Sequence, residues 1–169
     1  LEAVLQDRLG REWQCGVTQV DFVLPERFGL SYQNAEGLAQ QPVLVHHAIL
    51  GSLERWLSIV MEQNGELPDW LHACPVAVLP ISQQHVEYAQ EIVARLKRKG
   101  IDCVLVDDGP LQGRLRGLDE ARVPYRWVVG GNEQDSQAVA VRRFHEKMEV
   151  LGAEQAIEEM AKNVAIPRP

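Results

Sequence analysis

The strongest constraint on the fold lies in the second half of the chain, where short apolar runs alternate with helical patterns. The run VAVLPIS, residues 76–82, is continuously apolar, as expected for a strand that is covered on both faces. Residues 84–99 show helical spacing of apolar positions, a basic last turn suited to the helix dipole, and Gly100 as a C-cap. Further elements are predicted as strands at 101–108, 125–131 and 138–144 and as helices at 111–122 and 153–163. This alternation predicts an α/β domain with a mostly parallel sheet.

The first half of the chain shows a different pattern. Residues 12–24, EWQCGVTQVDFVL, alternate polar with apolar or β-branched residues, which predicts a long antiparallel strand with one buried face. A loop with glycine, asparagine and proline breakers follows. A short strand, PVLVHH, then leads into a helix over about residues 48–63, which Asn64–Gly65 is expected to end.

A boundary is predicted where both patterns stop. The stretch NGELPDWLHAC has neither periodicity, and Gly65 and Pro68 punctuate it. We therefore predict two domains, residues 1–66 and 75–169, joined by a linker at residues 67–74. A chain of 169 residues is long enough for part of one domain joined to a small complete one.

The composition excludes several classes of protein. With 46% hydrophobic and 24% charged residues it is typical of a globular protein, and no apolar run is long enough to span a bilayer, so no membrane partner is expected. The opening LEAVLQDRLG lacks an initiator Met, a basic segment and a cleavage site, so we expect a cut inside a longer protein rather than a signal peptide. Three widely spaced cysteines without a C-x-x-C pair indicate a reducing compartment, hence the cytoplasm, and no self-contained zinc site.

The net charge of −7 is unevenly distributed. Residues 1–74 carry four Lys and Arg against ten Asp and Glu, whereas residues 75–169 carry thirteen against fourteen. A general polyanion binder would be basic, because phosphate neutralisation dominates non-specific affinity. Any RNA contact must therefore come from local groups such as Arg142–Arg143 or the basic residues of 95–99, although a basic helix end is usually only solvated.

Two strings in the first half point to a family. They are GREWQCGVTQVDFVLPERF at residues 10–28 and PVLVHHAILGSLERW at residues 42–56. Together they closely resemble the end of the catalytic domain of threonyl-tRNA synthetases, where a strand reading WQCGTIQ-DF-LPERF precedes a strand–helix unit reading HRAILGS-ER, the third class II motif. The order of elements in the second half is similar to that of the family's anticodon-binding domain. The resemblance implies part of an antiparallel class II catalytic core followed by an α/β anticodon-binding domain.

The resemblance assigns a catalytic role to Arg55, which matches the motif-three arginine that contacts ATP. Adenylate formation brings the α-phosphate of ATP and an amino-acid carboxylate together, so a fixed guanidinium stabilises the transition state. The small pair Gly51–Ser52 would let backbone and ligand approach closely, and Ser52 is counted with the ATP site. Without the resemblance, Arg55 would be interpreted as a solvent-exposed helical arginine.

Three positions on the preceding strand match the family's adenylate and threonine pocket, namely Gln14, Val17 and Gln19. An ideal strand places Val17 and Gln19 on one face and Gln14 on the other. A bulge at Cys15–Gly16 would bring Gln14 to the face of the other two. Val17 departs from the family, which usually has Thr there, and losing the hydroxyl removes a hydrogen bond of order 1 kcal/mol.

His46 matches the third zinc ligand of the family, whose zinc takes one Cys and two His and binds the amine and hydroxyl of threonine. The other two ligands would lie upstream of this chain, so this chain alone is not expected to bind zinc tightly. Read by itself, His46 is a hydrogen-bonded core histidine. The next residue is His47, whereas the family usually has Arg.

The resemblance assigns anticodon recognition to three residues. The family uses an acid just after the third strand, an arginine ending the fourth, and a third residue, commonly Asn, in an RNEK-like turn. Glu133, Arg142 and Asp108 match these positions, and carboxylate and guanidinium groups complement base edges. The turn departs from the family, because Asp only accepts hydrogen bonds and Gly109–Pro110 replaces Glu-Lys. Read alone, Glu133 and Arg142 are surface loop charges.

The implied parent protein activates threonine with ATP, as its Mg²⁺ complex, and charges tRNA(Thr), and it is a homodimer. This chain lacks the first and second class II motifs, so we do not expect it to aminoacylate alone. A non-catalytic paralogue or accessory module that binds tRNA or protein remains the alternative, and a specialised duplicate, such as an inhibitor-resistant synthetase, is a third. The module is favoured by the departures at Val17, His47, Asp108 and 109–110. The enzyme, which we favour, is supported by matches at Gln14, Gln19, His46, Ser52 and Arg55.

Overall fold

The computed structural model describes residues 1–144 and 146–167. The chain forms two compact units, Leu1–Leu67 and a second that begins at Pro68. None of the helices in the described part of the chain is both long and apolar enough to cross a membrane.

The first unit is built on a three-stranded antiparallel sheet. Its strand order is β1-β2-β5, and these strands are Glu2–Gln6, Glu12–Asp21 and Leu44–Ala48. The hairpin strand β1 was not predicted. The remaining elements of this unit are α1 (Val23–Arg27), β3 (Tyr32–Gln33), β4 (Ala39–Gln40) and α2 (Leu53–Asn64).

The long strand predicted to reach residue 24 ends at Asp21. Its carboxylate oxygen Oδ1 accepts hydrogen bonds from the backbone N–H groups of Val23, at 2.8 Å, and Leu24, at 3.0 Å. A side chain that satisfies two free N–H groups in this way favours a turn into a helix over continuation of a strand. The helix α1 therefore starts where the sequence pattern alone suggested a strand end and a loop.

Helix α2 ends at the predicted residue, but it begins later in the chain than predicted. Gly65 is the C-cap with φ +77°, a left-handed conformation that glycine adopts without strain. The predicted start near residue 48 is wrong, because Ala48 still belongs to β5 and Ser52 is the N-cap. The Ser52 hydroxyl accepts from the N–H of Arg55 at 3.3 Å, which places Arg55 in the first turn of the helix.

The second unit contains a five-stranded mixed sheet between helices. The strand order is β10-β9-β8-β6-β7, with α3 and α6 on one face and α4 on the other. The elements in chain order are β6 (Val76–Pro80), α3 (Val86–Arg98), β7 (Cys103–Leu105), α4 (Leu111–Glu120), β8 (Tyr125–Val129), α5 (Gly131–Asp135), β9 (Ala138–Arg143), β10 (Glu149–Gly152) and α6 (Ala153–Asn163).

The predicted α/β class is confirmed, and the sheet is parallel across β7, β6 and β8. On the other side, β9 pairs antiparallel with β8, and β10, which was not predicted, pairs antiparallel with β9. Every residue of β6 is buried, as its apolar run indicates. Alternate residues of β6 face opposite layers: Val76 and Val78 contact the α3 and α6 side, whereas Ala77 and Leu79 contact the α4 side.

Residues 68–74, predicted as a linker, contain a 3₁₀ turn, Asp69–Leu71, that is tied to the second sheet. The Asp69 carboxylate accepts from the Tyr125 hydroxyl at 2.7 Å and from Arg143 at 3.1 Å. Burial, together with the bond to Asp69, raises the pKa of Tyr125 to about 12, so the hydroxyl stays protonated and donates at neutral pH.

Candidate functional sites

A bulge in β2 puts the three pocket candidates on one face of the first sheet. Gly16 pairs with Ala3 and Gln14 pairs with Val4, so Cys15 is an extra residue on β2. The pairing then continues from Gly16 to Val17, opposite Glu2.

Because Glu2 and Val4 lie on one face of β1, their partners Val17 and Gln14 share that face, and Gln19 follows by alternation. The bulge predicted at Cys15–Gly16 is therefore confirmed. Gln14, Val17 and Gln19 line one open depression of about 610 Å³.

The turn between β5 and α2 lies against this bulge. A Cβ atom on Gly51, whose φ is +65°, would be 2.1 Å from the carbonyl oxygen of Cys15. A Cβ on Gly16 would be 2.8 Å from the carbonyl oxygen of Ile49. Only glycine fits at these two positions, and at Gly51 the close approach is to the Cys15 backbone rather than to open ligand space.

This contact brings Arg55 to the pocket strand. Its Nη1 donates to the carbonyl oxygen of Gln14 at 3.0 Å. Its guanidinium carbon also lies 5.8 Å from the centre of the Trp13 ring, within cation–π range. Arg55 is exposed, so part of the guanidinium stays available to a ligand while one N–H is held.

Sequence reasoning missed the group that holds Trp13. The Trp13 indole N–H donates to the Asp7 carboxylate at 2.8 Å, and Arg11 lies over the same ring at 5.5 Å. Asp7 is buried, and it also accepts from the Arg11 side chain at 2.5 Å and from the backbone N–H groups of Leu9 and Arg11. The signal in the sequence was an Asp four residues before an Arg around Gly10, which is typical of a tight turn.

The charge state of Asp7 follows from these contacts. Loss of water around the carboxylate favours its protonated form, but the hydrogen bonds from Trp13, Arg11 and Leu9 together outweigh that effect and lower the pKa of Asp7 to about 2. Asp7 is therefore an anion at every pH at which the folded protein is normally handled.

The two histidines of β5 each have a partner across the β2–β5 pairing. His46 lies opposite Gln19, and its Nε2 is 3.2 Å from the Asp21 carboxylate. When one imidazole nitrogen is hydrogen-bonded to a carboxylate, the second nitrogen is oriented and free to bind a metal. His46 is therefore suited to supply one zinc ligand through Nδ1. His47 Nδ1 lies 2.7 Å from the Thr18 hydroxyl.

A complete zinc site is not present in the described part of the chain, where no group of three His, Cys, Asp or Glu side chains is arranged to hold a metal. The residues of this chain therefore fit one ligand position and not the whole zinc site.

In the second unit, the three candidate anticodon residues do not all meet. Asp108 is exposed beyond the end of β7, and Glu133 lies in α5, just beyond β8. Because β7 and β8 run parallel, both residues lie at the same edge of the sheet. One Glu133 oxygen accepts from the N–H of Gly130 at 2.9 Å.

Arg142 lies elsewhere on the sheet. It pairs with Arg126 near the start of β8, roughly 10 Å along the strands from the edge that holds the other two, at about 3.3 Å per residue.

Two buried arginines of the second unit were missed by sequence reasoning. Arg114 donates to the carbonyl oxygens of Pro80, at 2.8 Å, and Val106, at 2.7 Å, and so fastens α4 to the ends of β6 and β7. Arg126 lies within the buried strand β8 and forms an ion pair with Asp119. No local pattern marks either as buried, since the partners that neutralise or satisfy them come from other elements.

Comparison with known proteins gives consistent matches for both units. Residues 75–164 match a family described as anticodon binding domain, and residues 2–64 match the tRNA synthetase class II core domain (G, H, P, S and T). The chain is 40% identical to a threonine–tRNA ligase from Granulibacter bethesdensis, over 99% of this chain and 27% of that protein. It is 44% identical to one from Thermus thermophilus, over 85% of this chain and 22% of that protein.

The chain thus spans about a quarter of the length of these curated relatives. A crystal structure of the RNA binding domain of threonyl-tRNA synthetase from Cryptosporidium parvum Iowa II is similar, with a TM-score of 0.79 and 34% identity. The match covers 96% of this chain and 42% of that one. The chain therefore belongs to the threonyl-tRNA synthetases, a family of class II aminoacyl-tRNA synthetases, and carries part of the class II core followed by an anticodon-binding domain.

Proposed function

We propose that this chain is part of a threonine–tRNA ligase that activates threonine with ATP and charges tRNA(Thr), with the second domain reading the anticodon. The observation that carries the proposal is the bulge at Cys15, which places Gln14, Val17 and Gln19 on one face of the first sheet. Arg55 is held to the same strand by the Gln14 carbonyl oxygen, on the side of the Trp13 ring. An arginine next to a strand with two amide side chains is suited to hold a phosphate and a polar amino acid together.

Each of these residues, with Ser52 and His46, has a proposed part in adenylate formation. Arg55 stabilises negative charge on the α-phosphate of ATP, whose Mg²⁺ accompanies the nucleotide. Gln14 and Gln19 hydrogen-bond the polar groups of threonine and the adenylate, with Val17 between them as an apolar contact. Ser52 caps the helix that carries Arg55, and so fixes the position of the guanidinium. His46 would hold one position of a zinc ion in the complete enzyme, and that ion would supply a Lewis-acid centre for the polar groups of threonine.

In the second domain, we propose that Asp108, Glu133 and Arg142 contact the anticodon. Asp108 and Glu133 lie at one edge of the sheet and can accept hydrogen bonds from base amino and imino groups. Arg142 lies on β9, roughly 10 Å from that edge along the strands, and would donate to a neighbouring nucleotide. The domain is close to neutral in net charge, so its preference for one RNA must come from such placed groups rather than from bulk attraction.

Binding of the chain to tRNA(Thr) and to a transcript with an exchanged anticodon tests this role. We expect at least about tenfold tighter binding to tRNA(Thr) across a salt series, because each well-placed base contact contributes about 1–3 kcal/mol of discrimination. Glu133→Gln should reduce that preference while keeping the fold, since Gln at this position can still cap the N–H of Gly130.

The matched control is Glu158→Gln, which removes one exposed carboxylate from α6. It should bind both transcripts as the unmodified chain does. Equal affinity of the unmodified chain for the two transcripts would remove the decoding role.

A further inference from the structure

A cluster of three arginines surrounds a depression between α4 and the strands β8 and β9. The depression has a volume of about 490 Å³ and is lined by Gln112, Gly113, Leu115, Arg116, Asp119, Arg126 and Arg142. Of these, only Arg142 belongs to the proposed anticodon contacts. The charged side chains of the lining leave an excess of two positive charges.

Two of the three arginines are direct neighbours in the sheet. Arg126 and Arg142 are direct partners in the antiparallel pairing of β8 with β9. Directly opposed residues have Cβ atoms about 4.5–5.5 Å apart, and like charges in such a pair repel each other. Arg126 is only 3% exposed, so water does little to screen this repulsion.

The protein neutralises only part of this charge. Asp119 contacts Nη2 of Arg126 at 2.5 Å, and the carbonyl oxygen of Phe144 accepts from Nη1 at 3.4 Å. Asp119 is half-exposed and comes from α4, so it orients Arg126 without enclosing it. Arg116, one turn earlier on the same helix, is exposed at the rim.

Two of the lining arginines are incompletely satisfied by the protein. The Nε–H groups of Arg126 and Arg142 are inaccessible to solvent, and no residue in the described ranges 1–144 and 146–167 accepts from either; the same holds for Nε of Arg114 and the indole N–H of Trp127 outside this depression. A buried charged donor without an acceptor is costly, so additional negative charge next to these two side chains would be favourable. Both arginines line the depression.

We propose that this depression binds a phosphate group of the tRNA backbone, with Arg126 as a contact that nothing in the family resemblance assigns. The proposal rests on the tRNA-binding function proposed above. A phosphate is favoured over a base edge because its negative charge would neutralise the excess positive charge of three guanidinium groups and one carboxylate. In addition, a guanidinium group can donate two parallel hydrogen bonds to the oxygens of one phosphate. Such a contact positions the RNA without reading its sequence.

The test uses the whole chain and the anticodon stem-loop of tRNA(Thr) as the probe, with affinity measured by fluorescence anisotropy over a salt series. Arg126→Met and Arg116→Gln should each weaken binding roughly tenfold, as expected for a charge-assisted hydrogen bond. Each should also lower the slope of log K against log salt by about one. The same losses should appear with a stem-loop whose anticodon is exchanged, because a phosphate contact is independent of sequence.

One control variant and the second test variant separate this effect from general loss of charge or of fold. Lys162→Gln removes one exposed positive charge from α6, on the opposite face of the sheet, and should change neither affinity nor slope. Arg116→Gln alters an exposed side chain and tests the proposal even where Arg126→Met unfolds the domain.

A second arm identifies the phosphate. In a series of stem-loops, one phosphate at a time is replaced by an uncharged methylphosphonate. At one position, this replacement should weaken binding to the unmodified chain but not to Arg126→Met. Wild-type affinity and slope in Arg116→Gln and folded Arg126→Met would overturn the phosphate site while leaving tRNA binding intact. A loss of affinity in these variants that appears only with the stem-loop of tRNA(Thr) would also overturn the phosphate site. Absence of any binding by the unmodified chain would overturn the proposed tRNA function, and the phosphate site with it.

Discussion

Asp7 shows how one buried carboxylate organises the edge of the proposed adenylate site. It accepts hydrogen bonds from Trp13, Arg11 and Leu9, and Trp13 in turn stacks against Arg55. Asp7 therefore acts on the Arg55 guanidinium through the Trp13 ring, without touching the pocket itself. The contacts require the ionised carboxylate, because only that form accepts from all of these donors at once.

The stability of the first unit should consequently depend on acid pH. The pKa of Asp7 is about 2 in the folded chain and near 3.8 in the unfolded chain, so the ionised form is favoured by folding. Its contribution is complete above about pH 4 and is lost as the pH falls towards 2. Urea unfolding at a series of pH values should show this loss. Asp7→Asn should remove the part that comes from Asp7 and leave the part that comes from Asp21 and Glu54, whose pKa values are also lowered by hydrogen bonds.

The same measurement on Glu12→Gln provides the control. Glu12 is an exposed residue of β2, and its substitution should leave the acid dependence in place. An unchanged dependence in Asp7→Asn would mean that another carboxylate is responsible.

At the scale of elements, the site depends on how closely two backbones approach. The turn before α2 contacts the bulge of β2, and Gly51 allows that contact. Gly51 also has a left-handed conformation, with φ +65°. A side chain at this position would push the helix, and with it Arg55, away from Gln14.

Gly51→Ala should therefore destabilise the first unit by about 3 kcal/mol. Roughly 1–2 kcal/mol comes from placing a side chain in a left-handed conformation, and the rest from the overlap with the Cys15 carbonyl. Gly37→Ala is a matched control, because Gly37 has φ +77° and a Cβ atom there would have no described heavy atom within 4 Å. It should cost only about 1–2 kcal/mol. Equal losses in the two variants, measured by urea unfolding, would contradict the close-contact explanation.

On the scale of the whole molecule, the two units differ in how well they are closed. The second surrounds its sheet with helices on both faces and buries one hydrophobic cluster on each face. The first leaves large apolar side chains exposed, such as Phe28 at 66% and Ile49 at 76%. Apolar surface of this extent usually marks an interface, which fits a core of which this chain supplies only a part.

This difference predicts that the 169-residue chain does not catalyse threonine-dependent ATP–pyrophosphate exchange by itself. It supplies one side of the proposed ATP site and one candidate zinc ligand, while adenylate formation needs its charged groups fixed around both substrates. The measurement compares the chain with a complete threonine–tRNA ligase that contains it, in which Arg55→Ala should lower exchange at least about a hundredfold. Exchange by the chain alone would contradict the prediction.

Much of the fold follows from local sequence patterns. The apolar run of β6, the amphipathic pattern of α3, and the caps at Gly65 and Gly100 depend on residues close together in the chain. The family also followed from local strings, because the residues around 10–28 and 42–56 occur in a characteristic order. Predictions that failed, such as the start of α2 and the end of β2, were decided by single capping side chains, Ser52 and Asp21.

The types of residue and their spacing in the sequence thus determined the class of fold, the family and a set of candidate site residues. Only the tertiary structure decided which of these residues meet. The bulge at Cys15 is a property of the pairing with β1, and the burial of Arg126 depends on α4 and β9. The physical reason is the same in both cases, because register, burial and unmatched charge are set by partners distant in sequence, which no local pattern encodes.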